Sequence, residues 1–435
     1  MRPQCFLAMG DSQLSKKQYT AAVTSFDKSI AINQESAAAY LNRGMAKQAL
    51  KQHKTAIQDL LKAAALDADD SQGTIAAASS YEAMATTAIA EKKFDDAVIS
   101  INQAIKLVPT KRAKYGKLAA LVYSKLGLKL LEIGNTKSAE TNFKNAIDHH
   151  SESAEAYAGL AQLSLNKDDF KVAADQYVKA AKLDRDVAVL YNKQAGRALG
   201  LFAETSLKKQ QYATAAESLQ LAATLNPAKG DYYNKLEAVA HNLSGYDLHR
   251  RSKFKDAIAE YSKAVKLDPN KAVSYRNRGY SYKSAGEYTK AIDDYTAAIK
   301  LDPNKSLAYK IRGEIRLLLT KDTDYSIVLS DLNKAAELAP TDAMAHYYLS
   351  FIYAACPDKF FRDPAKGLTH ATKACDLTKH KNWEYLTMLA AAHAEGGMFE
   401  DAVKVCEKAL ELAPQANKAP IAVMRSYFMQ NERLP

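Results

Sequence analysis

The chain is 435 residues long, 47% hydrophobic and 25% charged, with only 17 Gly and 11 Pro: the composition of a soluble protein, too long for one ordinary globular core. A chain of stacked units escapes that limit, because each unit buries surface only against its neighbours. The formal net charge of +11 and pI of about 9.1 suggest an acidic partner, yet Lys and Arg exceed Asp and Glu only thinly along the chain, which gives no dedicated nucleic-acid stripe.

At the N-terminus, Cys5-Phe6-Leu7-Ala8-Met9 is too short for a signal-peptide core of at least roughly 7 apolar residues. No run approaches the roughly 18 residues needed to span a bilayer, so a cytoplasmic location is the default expectation. Helical units then succeed one another. Their second helices are expected to end near Gln34, Ala68, Pro109, Ser151, Arg185, Pro227, Pro269, Pro303, Pro340, Lys379 and Pro414, eleven units in all. An aromatic residue after the inter-helix turn recurs as Tyr19, Phe94, Phe170, Tyr212, Phe254, Tyr288, Tyr325 and Phe399, with His53, Thr136 and Pro364 as departures. Three positions later comes a small residue, from Ala22 and Ala56 through to Gly367 and Ala402, with Val328 the exception.

The unit ends also carry a longer period: Gln34 to Ser151 is 117 residues and Ser151 to Pro269 is 118, three units at a time, one ordinary and two lengthened. The extra eight or so residues fall in first helices, predicted at about 72–91, 112–133, 188–208 and 230–250, where they add about two turns or roughly 12 Å. Such overhangs either form a ridge or wider groove for a partner or only alter superhelical pitch. Later units are interrupted at Lys321-Asp322-Thr323-Asp324 and at 355–364, where Cys356-Pro357-Asp358 and Arg362-Asp363-Pro364 suit turn-making and helix capping. Residues 416–430 read as a solvating, capping helix.

No chemistry-bearing constellation survives inspection. Gly134-Asn135-Thr136-Lys137-Ser138 ends like a phosphate loop but lacks the first Gly and a preceding strand. His149-His150 offers no pair four apart with a Glu between. Asp168-Asp169 and Asp293-Asp294 read as solvated charge favoured by helix position. Cys5, Cys356, Cys375 and Cys406 form no CxxC pair and are expected reduced, mostly packed as small hydrophobes. No catalytic residue, cofactor or metal is expected, and the chain reads as a non-enzyme.

The stretch from Phe254 to Tyr309 is one helical unit and its near copy. Pro269 and Pro303 lie 34 residues apart, as do Phe254/Tyr288, Ala257/Ala291, Tyr261/Tyr295, Ala264/Ala298, Tyr275/Tyr309 and Gly279/Gly313. Small residues are needed where helix axes approach, aromatics fill the gaps, and Leu-Asp-Pro-Asn at 267–270 and 301–304 stops the second helix, with Asn placed to cap the next. At these residues the sequence resembles the tetratricopeptide repeat family, in its bacterial multi-repeat form. The resemblance implies an all-α, right-handed α-α superhelix, a solenoid of about eleven helix-turn-helix repeats spanning residues 1–435. It also implies a concave groove, lined by first helices, that binds a peptide or protein. The 355–364 string is similar to one found between helices in some bacterial arrays of this family.

In that groove the resemblance places Asn242, Tyr246, Arg276, Asn277, Tyr280, Lys283, Lys310, Tyr347, Tyr348 and Phe351, a surface suited to an extended or helical acidic peptide. Earlier units offer blander residues there, such as Ala38, Leu41, Met45, Ser79 and Thr86. Chaperone-binding members clamp a C-terminal carboxylate with Lys, Asn and Arg from three units. Only the second-unit Asn has matches, Asn42 and Asn277, and the clamp is absent as a set. The leading expectation is a non-enzymatic protein-interaction scaffold. One alternative is a regulatory or targeting array from a larger multidomain protein, motivated by the start of the chain almost inside a first helix. The other is a nucleic-acid-binding helical array, motivated by the high pI.

Overall fold

The computed structural model describes residues 2–319 and 324–434. Among the described residues it holds 23 α-helices, three short 3-10 turns and no strand. In chain order, α1 (Pro3–Ser15) pairs with α2 (Tyr19–Ile32), α3 (Ala37–Ala49) with α4 (His53–Leu66), and α5 (Gln72–Ala90) with α6 (Phe94–Leu107). Then come α7 (Arg112–Glu132) with α8 (Thr136–His149), α9 (Ala154–Asn166) with α10 (Phe170–Leu183), α11 (Ala188–Lys208) and α12 (Tyr212–Leu225). After α13 (Gly230–Arg250) and α14 (Phe254–Leu267) stand the pairs α15 (Ala272–Ser284) with α16 (Tyr288–Leu301) and α17 (Ser306–Leu318) with α18 (Tyr325–Leu338). The last are α19 (Ala343–Ala355) with α20 (Pro364–Leu377), α21 (Trp383–Glu395) with α22 (Phe399–Leu412), and α23 (Gln415–Met429). The helices fall into two compact units, Met1–Thr205 with Leu221–Gly230, and Ser206–Gln220 with Asp231–Pro435. Among the described residues no helix is long and apolar enough to cross a membrane.

The second helices are all 14 residues long, from α2 to α22, and their first residues are the aromatic ladder and its three departures. First helices vary: seven have 13 residues, such as α3, α9 and α15, whereas α5 has 19 and α7, α11 and α13 have 21. Length is therefore added only to the first helix, and α7 and α13 each begin after a 3-10 turn opened by Pro109 or Pro227.

The turn within a pair is equally regular. The residue two before the second helix lies in the left-handed region, at Gly134, Gly286 and Gly397 but also at Lys17, Lys51, Lys92, Asp168, Gln210 and Ser252. Between pairs, Leu-Asp-Pro-Asn ends α14 and α16 as expected, but Asn270 and Asn304 do not cap the succeeding helix. Pro and Asn occupy the turn itself, and extended Lys271 and Lys305 stand at the helix starts without a side-chain cap. Side-chain caps appear at other starts: Asp363 accepts from Lys366 N ahead of Pro364, Asp324 from Ser326 N, and Ser36 from Ala39 N. The rest of the expected 321–324 insertion, Lys321 to Thr323, lies outside the described residues. Helix α23 buries Ile421 and Phe428, and its exposed residues mix Gln415, Asn417 and Ser426 with Val423, Tyr427 and Met429.

Four of the pairs close on the same contact. A large second-helix side chain sits over a glycine of the first helix sixteen residues earlier: Phe26 over Gly10, Phe143 over Gly127, Tyr261 over Gly245 and Tyr295 over Gly279. These rings are at most 2% exposed. A Cβ at Gly127 would lie 2.6 Å from the Phe143 ring, and one at Gly159, in the next unit, 2.3 Å from the same ring. Alanines buried at 0%, such as Ala139, Ala146 and Ala156, complete that contact region. Cys356, Cys375 and Cys406 are buried as small apolar residues, and burial pushes the Cys375 and Cys406 thiols up to about 12; Cys5 is exposed.

Because Phe143 is wedged between two helix backbones, Gly127→Ala should lower stability by about 1–3 kcal/mol, and Phe143→Leu in that background should restore part of the loss. Urea unfolding followed by circular dichroism tests this; unchanged stability in the single variant would mean that the ring has room to move.

Candidate functional site

The ten residues expected in the groove all lie on first helices. Asn242 and Tyr246 are on α13; Arg276, Asn277, Tyr280 and Lys283 on α15; Lys310 on α17; and Tyr347, Tyr348 and Phe351 on α19. Three of them, Asn242, Tyr246 and Asn277, line one cleft of about 480 Å³ between α13 and α15. Asn242 Nδ2 donates to Ala238 O at 3.0 Å and to Ser274 Oγ at 2.7 Å. Tyr246 is 56% exposed and Tyr280 46%. The Tyr280 ring leans on His249 at 5.0 Å between centroids. Ser281 Oγ donates to Asn277 O, so its contact with His249 Nδ1 at 2.9 Å is a bond donated by the imidazole, whose basicity burial lowers.

Five of the other predicted groove residues also make contacts within the chain. Lys283 Nζ bonds Glu314 of the next first helix at 2.6 Å, and Lys310 Nζ bonds Asp342 at 2.6 Å. Asp342 also accepts from Met344 N and Ala345 N, capping α19. The same bridge between successive first helices recurs at Lys114–Glu82 and Lys125–Glu155, at 2.8 and 2.7 Å. Tyr347 stacks on Tyr385 at 5.1 Å. Tyr348 bonds Glu314, and burial followed by that carboxylate raises its phenol above the usual range. Phe351 packs against the core around Val328, Leu332 and Leu349. In the first unit, Asn42 donates to Asp11 at 2.7 Å.

Sequence reasoning missed a buried ion pair inside three repeats. Arg43 bonds Asp59 through Nε and a terminal nitrogen at 2.9 and 2.6 Å, Arg278 bonds Asp294 at 2.8 and 2.7 Å, and Arg312 bonds Asp331 at 3.0 and 2.6 Å. Arg316 also reaches Asp331. Each of the first three guanidiniums lies 5.4–5.8 Å from the ring of the tyrosine three residues before it, Tyr40, Tyr275 or Tyr309. The signal was present: Tyr-x-x-Arg-Gly with Asp sixteen residues after the Arg, and nineteen in the third case because of the insertion. The hydrogen bond that Arg278 donates to Asp294 raises the pKa of the guanidinium, while burial holds the Asp294 carboxyl above the usual carboxylate range. With Asp294 only 5% exposed, Arg278→Met should cost about 3–5 kcal/mol by stranding a buried charge, and Arg278→Met with Asp294→Leu should recover most of it in urea titrations. Equal losses in both variants would assign the effect to packing.

Other polar clusters involve none of the ten predicted residues. His346 Nε2 faces Pro340 O at 3.1 Å and therefore carries a proton; its Nδ1 then accepts from His370 Nδ1, 3.0 Å away. Burial, with His346 and Lys366, pushes His370 down to about 4. Among the described residues no group of three or more His, Cys, Asp or Glu is placed to hold a metal ion. Gly134 forms the turn before α8, and Asn135 caps that helix by accepting from Ser138 N. The His370 shift makes a signed prediction. A depressed histidine pKa stabilises the fold above the unfolded value of about 6.5, and that stability is lost as pH falls from there towards about 4. Between pH 7.5 and 5 the wild-type chain should therefore lose more stability than His370→Phe, as measured by urea unfolding at both values; parallel losses would clear His370.

Signatures described as tetratricopeptide repeat match residues 37–70, 124–188, 272–305 and 384–415, and one described as TPR repeat matches 245–286. A search of curated proteins finds no match. Among solved structures the chain is similar to MamA 41-end from Desulfovibrio magneticus RS-1, at 22% identity over 40% of this chain and 94% of that one, with a TM-score of 0.36. It is similar also to the APC/C hetero-tetramer Cut9-Hcn1, at 16% identity over 100% and 91% with a TM-score of 0.36. A third is yeast Tom70, at 14% identity over 98% and 96% with a TM-score of 0.35. Tetratricopeptide repeats generally build scaffolds that bind other proteins, and such scaffolds are generally without catalysis of their own. With repeat signatures recurring from residue 37 to residue 415 on a fold of paired helices, the chain is a tetratricopeptide-repeat protein.

Proposed function

We propose that the chain is a non-enzymatic scaffold and that the first-helix face around α13 and α15 receives a peptide or protein segment. The observation that supports this is an excess of large apolar side chains left in water there. Tyr232, Val239, Leu243 and Tyr246 on α13 and Tyr280 on α15 are 38–56% exposed, beside a cleft of about 480 Å³. An aromatic and aliphatic cluster of this kind, rimmed by polar groups, is how an interaction surface differs from ordinary surface. Arg276 and Tyr280 lie one helical turn apart on α15, so one double substitution changes both the charge and the contact area of the face.

Tyr280→Ala/Arg276→Glu should therefore strip specific partners from the chain in affinity capture from native lysate while the helical melting curve is retained. An unaltered set of captured partners would remove this face from consideration. Lysines at 283 and 310 are already matched by Glu314 and Asp342, and substituting them is expected to disturb stability before binding.

A further inference from the structure

The lengthened first helices do not all have the same neighbour. The next first helix after α5 is another long one, α7, and after α11 it is α13, but α7 is succeeded by the 13-residue α9 and α13 by the 13-residue α15. In the second compact unit Asn242 bonds Ser274 and His249 bonds Ser281, which sets the start of α15, Ala272, level with about residue 240 of α13. The residues of α13 before that point run on past the shorter helix and stand over the turn at Asp268–Lys271. A cleft of about 480 Å³ occupies this step. In the first unit the equivalent step from α7 to α9 holds one of about 260 Å³, and its chemistry differs: Glu152, Glu155 and Asp184 with Lys117 and His150.

We propose that the step beside α13 is an anchoring subsite for an extended, uncharged peptide segment that inserts one bulky apolar side chain; this rests on the first-helix face being the partner surface. Tyr232, Val239, Leu243 and Tyr246 are spaced 7, 4 and 3 residues apart, which puts them on one side of the helix, and they are 51, 41, 38 and 56% exposed. The charged groups of the cleft cancel. Lys235 is closed on Asp231 at 2.8 Å, and Asp268 and Lys271 carry opposite charges at the turn, so neither an acidic nor a basic segment finds an unmatched counter-charge. One polar atom is unmatched. Asn242 Nδ2 faces the Ala238 carbonyl, which fixes the orientation of the amide and leaves Oδ1 beneath the surface without a donor. With its Nδ2 closed on Ala238 O and Ser274 Oγ and its Oδ1 beneath the surface, Asn242 offers an occupant no free hydrogen bond, and the cleft is left with apolar contact area as its main attraction.

The test uses the full chain and phage-displayed random dodecapeptides as probe, with recovered sequences remade as acetylated, amidated peptides and titrated by fluorescence anisotropy. The expected result is a recurrent Phe, Tyr, Trp, Leu or Met in peptides without net charge. Affinity should fall about tenfold or more in Val239→Asp and in Leu243→Gln, both at exposed positions, and be unchanged in Leu121→Asp at the other step. A charged consensus, no enrichment, or peptides indifferent to both substitutions on α13 would overturn the subsite. Peptides lost in Tyr280→Ala/Arg276→Glu but kept in Val239→Asp would sink the subsite and spare the wider face; peptides kept in all of these variants would sink both.

Discussion

The close approach of paired helices, seen most tightly where a ring rests directly on a glycine backbone as in four of the repeats, sets the terms for the rest of the fold. At Gly10, Gly127 and Gly245 there is no room for even one more carbon. Because interiors are packed as densely as organic crystals, a contact this tight fixes the separation and rotation of the paired helices together. It also explains why second helices keep a single length while first helices do not. Added residues enter at the start of the first helix, upstream of the ring-on-glycine contact, and leave that contact untouched.

Charge is arranged at two depths around this scaffold. Inside single repeats, arginines on first helices grip aspartates on second helices with most of both groups out of water, as Arg278 and Asp294 do. Between repeats, lysines on one first helix reach carboxylates on the next, as Lys283 and Lys310 do. The first arrangement specifies how a pair closes, because a misaligned pair strands a desolvated charge. The second matches lysines of the first helices with carboxylates on the same face, beside tyrosines and aliphatic side chains that stay exposed. A chain with a formal charge of +11 thus does not present that charge where its sequence pattern first suggests it.

What was legible in the sequence is what repeats at a fixed offset within one unit. The aromatic at the start of each second helix, the alanine three residues on and the stop at Leu-Asp-Pro-Asn recur because each answers to its own pair, so a period of 34 displays them. The partners of Lys283, Lys310 and Asn42 were not legible. They sit 31–32 residues away in a neighbouring repeat, at offsets set by how one pair is rotated against the next rather than by the period itself. The register of Tyr347, Tyr348 and Phe351 likewise gave no sign that, half-buried, they pack against Tyr385 and the Val328–Leu332 core. Asn270 was misread by one position: the helix starts one residue later, so that Lys271 stands at its cap. The cleft beside α13 was foreshadowed only by the length of a helix, since nothing in a linear period says which of two adjacent first helices is the shorter.

The ring-on-glycine contact spans only sixteen residues of chain, and the lysine bridges about twice that. Contacts so near in sequence close with little loop entropy and favour rapid folding. During synthesis, a repeat emerging from the ribosome therefore already possesses the partner it needs for its tightest contact, and the preceding repeat waits in place to receive it. Assembly can run in the direction of translation, one pair at a time, without long stretches of apolar helix held open for a distant segment still to be made.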